Sequence, residues 1–149
     1  MRRRQPYSTA RSKATSARQL LASQMPEKDF QSEVMKEAKL LGWVGYHTYS
    51  SKKSVEGFPD TVLIYPTPEA LELAGPGQFE QRLRDLTGFP HVPLVVAELK
   101  RVGEYPSPEQ RLWLALFRQV TEHVYVWRPT DWDEIHRVLK DARPMPRAQ

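Results

Sequence analysis

Helical and strand-like patterns of apolar residues alternate along the chain. Apolar residues recur every three or four positions between Pro26 and Gly42, which predicts an amphipathic helix, because proline favours a first helical turn and glycine a helix end. These apolar positions are Phe30, Val34, Ala38 and Leu41. The aromatic and β-branched residues 43–49 predict a strand, residues 50–57 a polar loop and residues 60–65 a second strand.

The second half of the chain centres on residues 94–97, a continuous apolar run typical of a strand buried on both faces. Residues 66–93 contain five prolines and predict an insertion with one helical piece near 78–86. Ser107 and Gln110 form a capping-box pattern that begins the next helix, and residues 123–127 predict a fourth strand. A helix follows from Asp131. An α/β fold is predicted by this order of elements, which is helix, strand, strand, insertion, strand, helix, strand, helix.

Length and composition then limit the possible classes of protein. The 149 residues fit one domain, predicted at 25–142 and followed by a tail at 143–149. There is no cysteine, which excludes disulfides, a thiol nucleophile and cysteine-based metal sites. No apolar run reaches about 18 residues, and Arg2, Arg3 and Arg4 are not followed by the apolar stretch of a signal peptide. We therefore expect a soluble, cytoplasmic protein.

The net charge of +4 is unevenly distributed. Residues 1–24 carry six basic side chains and no acid, whereas residues 25–149 carry 16 basic and 18 acidic side chains. The arm is rich in Ser, Thr, Ala and Arg, which predicts disorder apart from one helical turn around Ala17 to Leu21. Two interpretations remain open: a phosphate-binding arm that uses Arg2, Arg3 and Arg4, or a solvated tail.

Charged residues at two predicted strand ends are the strongest chemical signal. Val96, Glu98 and Lys100 are spaced two apart, so on a strand they share one face. Asp60 begins the strand that should lie beside this one. Two carboxylates and a lysine favour a hard divalent cation such as Mg²⁺, with Mn²⁺ as a substitute. The four histidines lack an i, i+4 pair, so the pattern does not favour zinc. A solvated ion pair of Glu98 and Lys100 is the alternative.

Several short motifs together resemble the VRR-NUC (virus-type replication-repair nuclease) domain of the PD-(D/E)xK nuclease superfamily. The resemblance covers residues 25–140 and departs from the usual pattern in the insertion at 66–93. The matching motifs are Glu27 with Phe30-Gln31, Gly42-Trp43, His47-Thr48, Gly57-Phe58-Pro59-Asp60, Ala97-Glu98-Leu99-Lys100, Ser107 with Gln110, and Trp127-Arg128-Pro129.

The resemblance implies a PD-(D/E)xK-like αβββαβ core, a mixed sheet flanked by helices, with the insertion between strands 2 and 3. Asp60, Glu98 and the carbonyl of Leu99 would bind one or two Mg²⁺. Lys100 would act on the attacking water as a base, or stabilise phosphate charge as an electrostatic clamp, and both roles remain open. Gln110 would cap its own helix, point at the metal site, or do both.

The family also places a glutamate on the first helix. Taking about 100° per residue, Glu27 falls inside the apolar arc, whereas Glu33 and Glu37 fall near its edge. We therefore expect Glu27 to face the site, with a contact to the metal through water and with support from Gln31. The alternative is a first-turn glutamate favoured by the helix dipole.

The resemblance suggests that the substrate is branched DNA, such as flaps or four-way junctions, and that the protein is a homodimer. The first hairpin borders the substrate in such folds. The candidate DNA-binding residues are His47, Ser51, Lys52, Lys53, Ser54 and Arg101, together with the arginines of the arm. The alternatives are a sequence-specific endonuclease of restriction or homing type and a DNA-binding protein without catalysis.

Overall fold

A computed structural model of the chain describes residues 17–48, 54–85 and 93–144. Within these ranges six helices, one 3₁₀ turn and four strands form. In chain order they are α1 (residues 17–23), α2 (Glu27–Leu40), β1 (Val44–His47), β2 (Thr61–Ile64), α3 (Pro68–Leu73), α4 (Phe79–Asp85), β3 (Leu94–Leu99), α5 (Pro108–Arg118), β4 (Val124–Trp127), a 3₁₀ turn (Pro129–Asp131) and α6 (Trp132–Asp141).

The four strands form one sheet in the order β1-β2-β3-β4. β1 pairs antiparallel with β2, β2 pairs antiparallel with β3, and β3 pairs parallel with β4. In the central pair, Thr61 lies opposite Ala97 and Ile64 opposite Leu94. The α/β prediction is therefore confirmed as a mixed four-stranded sheet flanked by helices, with an insertion between the second and third strands.

Helices cover the two faces of β3, which explains its continuous apolar run. Val95, Ala97 and Leu99 point to one face and join a buried cluster with residues of α2 and α6. Those helical residues are Phe30, Val34, Ala38, Ile135 and Leu139. Val96 is also fully buried but points to the opposite face, since side chains alternate along a strand. α5 contacts β3 and β4 on that second face.

The insertion contains two short helices, where the sequence predicted one. The predicted piece near 78–86 corresponds to α4, and the helix that was missed is α3. Thr67 caps α3 by accepting a hydrogen bond from the amide of Ala70. Arg82 of α4 donates hydrogen bonds to the carbonyls of Gly75 and Gly77, which ties the turn between the two helices. Residues 86–92 lie outside the described part.

The N-terminal arm also differs from its prediction over part of its length. Residues 17–23 form a helix that extends beyond the single turn expected there, and residues 1–16 lie outside the described range. Among the helices that the structure describes, none has both the length and the apolar character needed to cross a membrane.

Candidate active site

Glu98 lies at the buried end of β3, and its side chain is only 1% exposed to solvent. The ammonium of Lys100 lies 2.9 Å from Glu98 Oε1, and the amide of Gln110 donates a hydrogen bond to the same oxygen. Glu98 Oε2 is buried and receives no hydrogen bond from an amide, hydroxyl or cationic group of the described residues, and the carboxyl beside Glu98 is that of Asp60. A buried carboxylate oxygen without a donor is unfavourable, so this atom indicates a position for a ligand.

Asp60 lies beside Glu98, immediately before β2. Its Oδ2 accepts a hydrogen bond of 2.9 Å from the amide of Leu99, and its Oδ1 accepts one of 3.4 Å from the hydroxyl of Thr48. The contact with Leu99 fixes Asp60 across the gap between the two strands. The structure therefore brings Asp60, Glu98 and Lys100 together, as the sequence predicted.

The ladder between β2 and β3 ends at Thr61 and Ala97, two residues before the carbonyl of Leu99. Continuing the same register by two residues would place Pro59 opposite Leu99. Proline has no amide hydrogen, so position 59 cannot donate to this carbonyl. The backbone oxygen of Leu99 is therefore a candidate metal ligand beside the two carboxylates.

Gln110 has both of the roles that the sequence left open. Its Oε1 accepts a hydrogen bond of 2.8 Å from the amide of Ser107, and Ser107 Oγ accepts one from the amide of Gln110, which completes the capping box of α5. The other end of the same side chain binds Glu98. One residue therefore fixes the start of α5 and the orientation of the buried carboxylate.

The segment that carries Asp60 packs closely against the start of α5 at Gly57. Gly57 has a φ of 78°, in the left-handed region that favours glycine. A Cβ at this position would lie 2.5 Å from the backbone carbon of Glu109. The close approach of the two backbones holds the Asp60 segment and α5 together, so it also supports the geometry of the site.

The charges in the site perturb one another. Burial raises the pKa of Glu98 to about 7, and the neighbouring Asp60 contributes to the rise. Burial alone would lower the pKa of Lys100, but its hydrogen bond and ion pair with Glu98, together with Asp60, outweigh burial and raise it. Partial burial and Asp60 also raise the pKa of Glu27. The site thus concentrates negative charge that a cation would relieve.

An open groove of about 1020 Å³ runs along α2 and the edge strand β1 and reaches the site. The predicted residues that line it are Glu27, Gln31, His47, Ser54, Asp60 and Gln110. Glu27 is exposed at this rim, whereas Phe30, one turn further along, is buried. Gln31 donates a hydrogen bond to the carbonyl of Thr48. The two α2 residues therefore border the approach to the carboxylates.

The remaining candidate DNA-binding residues do not line the groove or lie outside the described residues. Arg101 follows the site residue Lys100 and is exposed to solvent. Ser51, Lys52 and Lys53 lie outside the described residues, as do Arg2, Arg3 and Arg4.

Sequence reasoning missed three lysines of α2 that line the groove, namely Lys28, Lys36 and Lys39. Their spacing of eight and three residues places them near one side of the helix, which was the available signal.

The donor set at the site fits Mg²⁺. Within residues 17–48, 54–85 and 93–144, no three His, Asp or Glu side chains form a ready metal-binding group. Mg²⁺ does not need one, since it is usually held by one or two carboxylates together with waters and substrate phosphate. Asp60, Glu98 Oε2 and the Leu99 carbonyl supply the hard oxygen ligands that this ion prefers.

The chain matches none of the protein-family models, curated proteins or solved structures with which it was compared.

Proposed function

We propose that this chain is a Mg²⁺-dependent DNA nuclease with a PD-(D/E)xK core of the VRR-NUC type. The observation that carries the proposal is Glu98, a buried carboxylate with one oxygen held by Lys100 and Gln110 and the other without a donor in the described part of the chain. A carboxylate held only for packing would have both oxygens satisfied. Asp60 beside it lines an open groove that also reaches Gln110, and such a groove suits a phosphodiester substrate.

In the proposed reaction, a water oxygen bonds to phosphorus while the bond from phosphorus to the leaving sugar oxygen breaks. The water gives up one proton to the surroundings, and the leaving oxygen takes up one. Mg²⁺ held by Asp60, Glu98 and the Leu99 carbonyl would neutralise phosphate oxygens and make a bound water more acidic. Leu99, through its amide, and Gln110 hold the two carboxylates in place before substrate arrives.

Lys100 fits the role of an electrostatic clamp better than that of a base. Its contact with Glu98 raises the pKa of Lys100 in the metal-free protein, which favours the ammonium form. A protonated lysine cannot accept a proton from water, but it can stabilise the negative charge that develops on the phosphate. We therefore propose that Lys100 both orients Glu98 and binds a non-bridging phosphate oxygen.

The groove supports DNA as the substrate. Glu27 and Lys39 are twelve residues apart on α2, which corresponds to about 18 Å of helix and to the length of about five nucleotides of one strand. Acidic residues lie at the end of the groove near the site, and Lys28, Lys36 and Lys39 provide positive charge along it. We propose that the lysines contact the phosphates of the strand that is cut.

The resemblance to VRR-NUC domains leads us to propose branched DNA as the preferred substrate and a homodimer as the active form. Two sites related by two-fold symmetry suit paired incisions in a four-way junction. Sedimentation of the protein alone and in complex with a junction would measure the oligomeric state.

A cleavage panel tests the proposal. Labelled duplex, single strand, flap and four-way junction are incubated with Mg²⁺, Mn²⁺ or EDTA. We expect metal-dependent products, and we expect Asp60→Ala and Glu98→Ala to abolish them while DNA binding is retained. Glu72→Ala, on the exposed surface of α3, is the matched control and should cleave normally. Metal-independent binding with no product from any substrate would instead identify a non-catalytic DNA-binding protein.

A further inference from the structure

Residues 101–107 form a loop that lies between two residues that contact Glu98. Lys100 precedes the loop and Gln110 follows it, and each binds Glu98 Oε1. The loop turns at Gly103, which has a φ of 86°, and the amide of Glu104 donates a hydrogen bond to the carbonyl of Arg101. The loop is therefore anchored on both sides by residues that bind Glu98.

Tyr105 lies in this loop with its side chain 80% exposed. The guanidinium carbon of Arg128 lies over the ring, 5.3 Å from its centroid, at a distance typical of a cation–π contact. Because so much of the ring remains exposed, the face away from Arg128 is open to solvent. Tyr105 thus presents a flat aromatic surface that is supported from one side only.

Arg128 is itself held in position. Its side chain donates a hydrogen bond of 2.6 Å to the carbonyl of Glu104, the residue before Tyr105. Its amide donates one of 2.8 Å to Asp131 Oδ2 at the start of α6. The loop and the end of β4 therefore support the ring together, so Tyr105 is presented by two elements.

Tyr105 also follows the proposed site closely along the chain. It is five positions after Lys100, so the backbones of the two residues are at most about 17 Å apart. Glu104 and Arg101, on the same loop, are close enough to Glu27 to affect its pKa. The separation of Tyr105 from Lys100 corresponds to at most the length of about five nucleotides of one strand.

We propose that Tyr105, backed by Arg128, is a stacking platform for a nucleobase whose face is exposed next to the scissile phosphate. The inference rests on the proposed nuclease function and adds a basis for its substrate preference. Bases inside a continuous duplex stack on one another and offer no free face, whereas single strands, flaps and branch points do. Every base has a flat face that can stack on an aromatic ring, so the platform selects DNA by its structure and not by its sequence.

Binding experiments with Ca²⁺ in place of Mg²⁺ test this role without cleavage. The probes are a flap, a single strand and an intact duplex, each carrying 2-aminopurine, a fluorescent base whose emission falls on stacking. We expect the wild-type protein to quench the probe in the flap and single strand but not in the duplex. Tyr105→Ala should lose the quenching and bind the flap about tenfold more weakly, with duplex binding changed less than twofold. Tyr105→Phe should retain both properties.

Tyr46→Ala is the matched control, because Tyr46 is also exposed but lies on the edge strand β1, two strands away from β3 and the loop that follows it. It should behave as the wild type. Equal flap affinity and quenching in Tyr105→Ala and the wild type would overturn the proposal. That outcome together with metal-dependent cleavage would leave the nuclease function standing, whereas quenching without cleavage by any metal would retain the platform and contradict the nuclease.

Discussion

Replacing Glu98 by glutamine should stabilise the metal-free protein above neutral pH. Glutamine has nearly the same shape, and its oxygen still accepts hydrogen bonds from Lys100 and Gln110. What it removes is a buried negative charge beside Asp60. The wild-type residue is unfavourable for folding whenever it is ionised, because burial and Asp60 raise its pKa to about 7 from an ordinary value of 4.5.

The sign and size of the effect follow from proton linkage. The folded state holds the proton of Glu98 more tightly than the unfolded state, so its unfavourable contribution is absent below pH 4.5, grows between pH 4.5 and 7, and is complete above pH 7. A shift of this size corresponds to about 3 kcal/mol, at 1.36 kcal/mol for each pH unit. Glu98→Gln should therefore gain up to about 3 kcal/mol in free energy of unfolding at pH 8 and almost nothing at pH 4.

Urea unfolding in EDTA at a series of pH values measures this difference. Glu72→Gln, at an exposed position, is the control and should change stability by less than about 0.5 kcal/mol at every pH. A constant difference between Glu98→Gln and the wild type from pH 4 to 8 would refute the reasoning. A variant less stable than the wild type at pH 8 would do so as well, since it would show that the charge of Glu98 is fully compensated without metal.

Three further predictions concern the residues that support the site and the lysines that line the groove. Gln110→Ala should lower kcat more than tenfold and lower the free energy of unfolding by about 1–2 kcal/mol. Ser107→Ala should lower only the free energy of unfolding. Equal kcat values in Gln110→Ala and the wild type would contradict the role of Gln110 in orienting Glu98. Gly57→Ala should destabilise the fold by about 2 kcal/mol in urea, and an unchanged midpoint would show that the backbones are not in close contact. Lys28→Ala combined with Lys39→Ala should reduce the slope of log affinity for DNA against log salt by about 2, while Lys140→Ala on α6 leaves it unchanged.

The elements predicted best from the sequence are those whose signals are local. The apolar run of β3 and the capping box at Ser107 and Gln110 both appear in the structure as expected. α3 was missed because it is six residues long and buries none of them, so no amphipathic period marks it. Trp43 was predicted within the first strand, but it precedes β1 and donates its indole N–H to the carbonyl of Leu139. That contact joins residues 96 apart, which local patterns do not reveal.

The site residues also divide into those that local sequence patterns predicted and those that depend on long-range contacts. Glu98 and Lys100 share a face because of the two-residue period of a strand, and their proximity was predictable on that basis alone. For Glu27 the helical wheel gave an angle but not a depth: the first turn of α2 extends to the rim of the groove, so the side chain stays exposed. The spacing of the groove lysines marks one side of α2, but the groove that they line, like the position of the Tyr105 ring, depends on how distant segments meet.

Stability and cleavage should respond in opposite directions at Glu98 and in the same direction at Gln110 and Gly57. Removing the charge of Glu98 relieves an unfavourable burial but would also remove a ligand, so a stabilised and inactive variant is expected. Changes at Gln110 or Gly57 disturb the support of the site and so weaken both properties. A residue that is unfavourable for folding yet required for cleavage acts in the chemistry. The opposite signs at Glu98 would therefore distinguish a catalytic carboxylate from one that only holds a structural network, which activity measurements alone do not do.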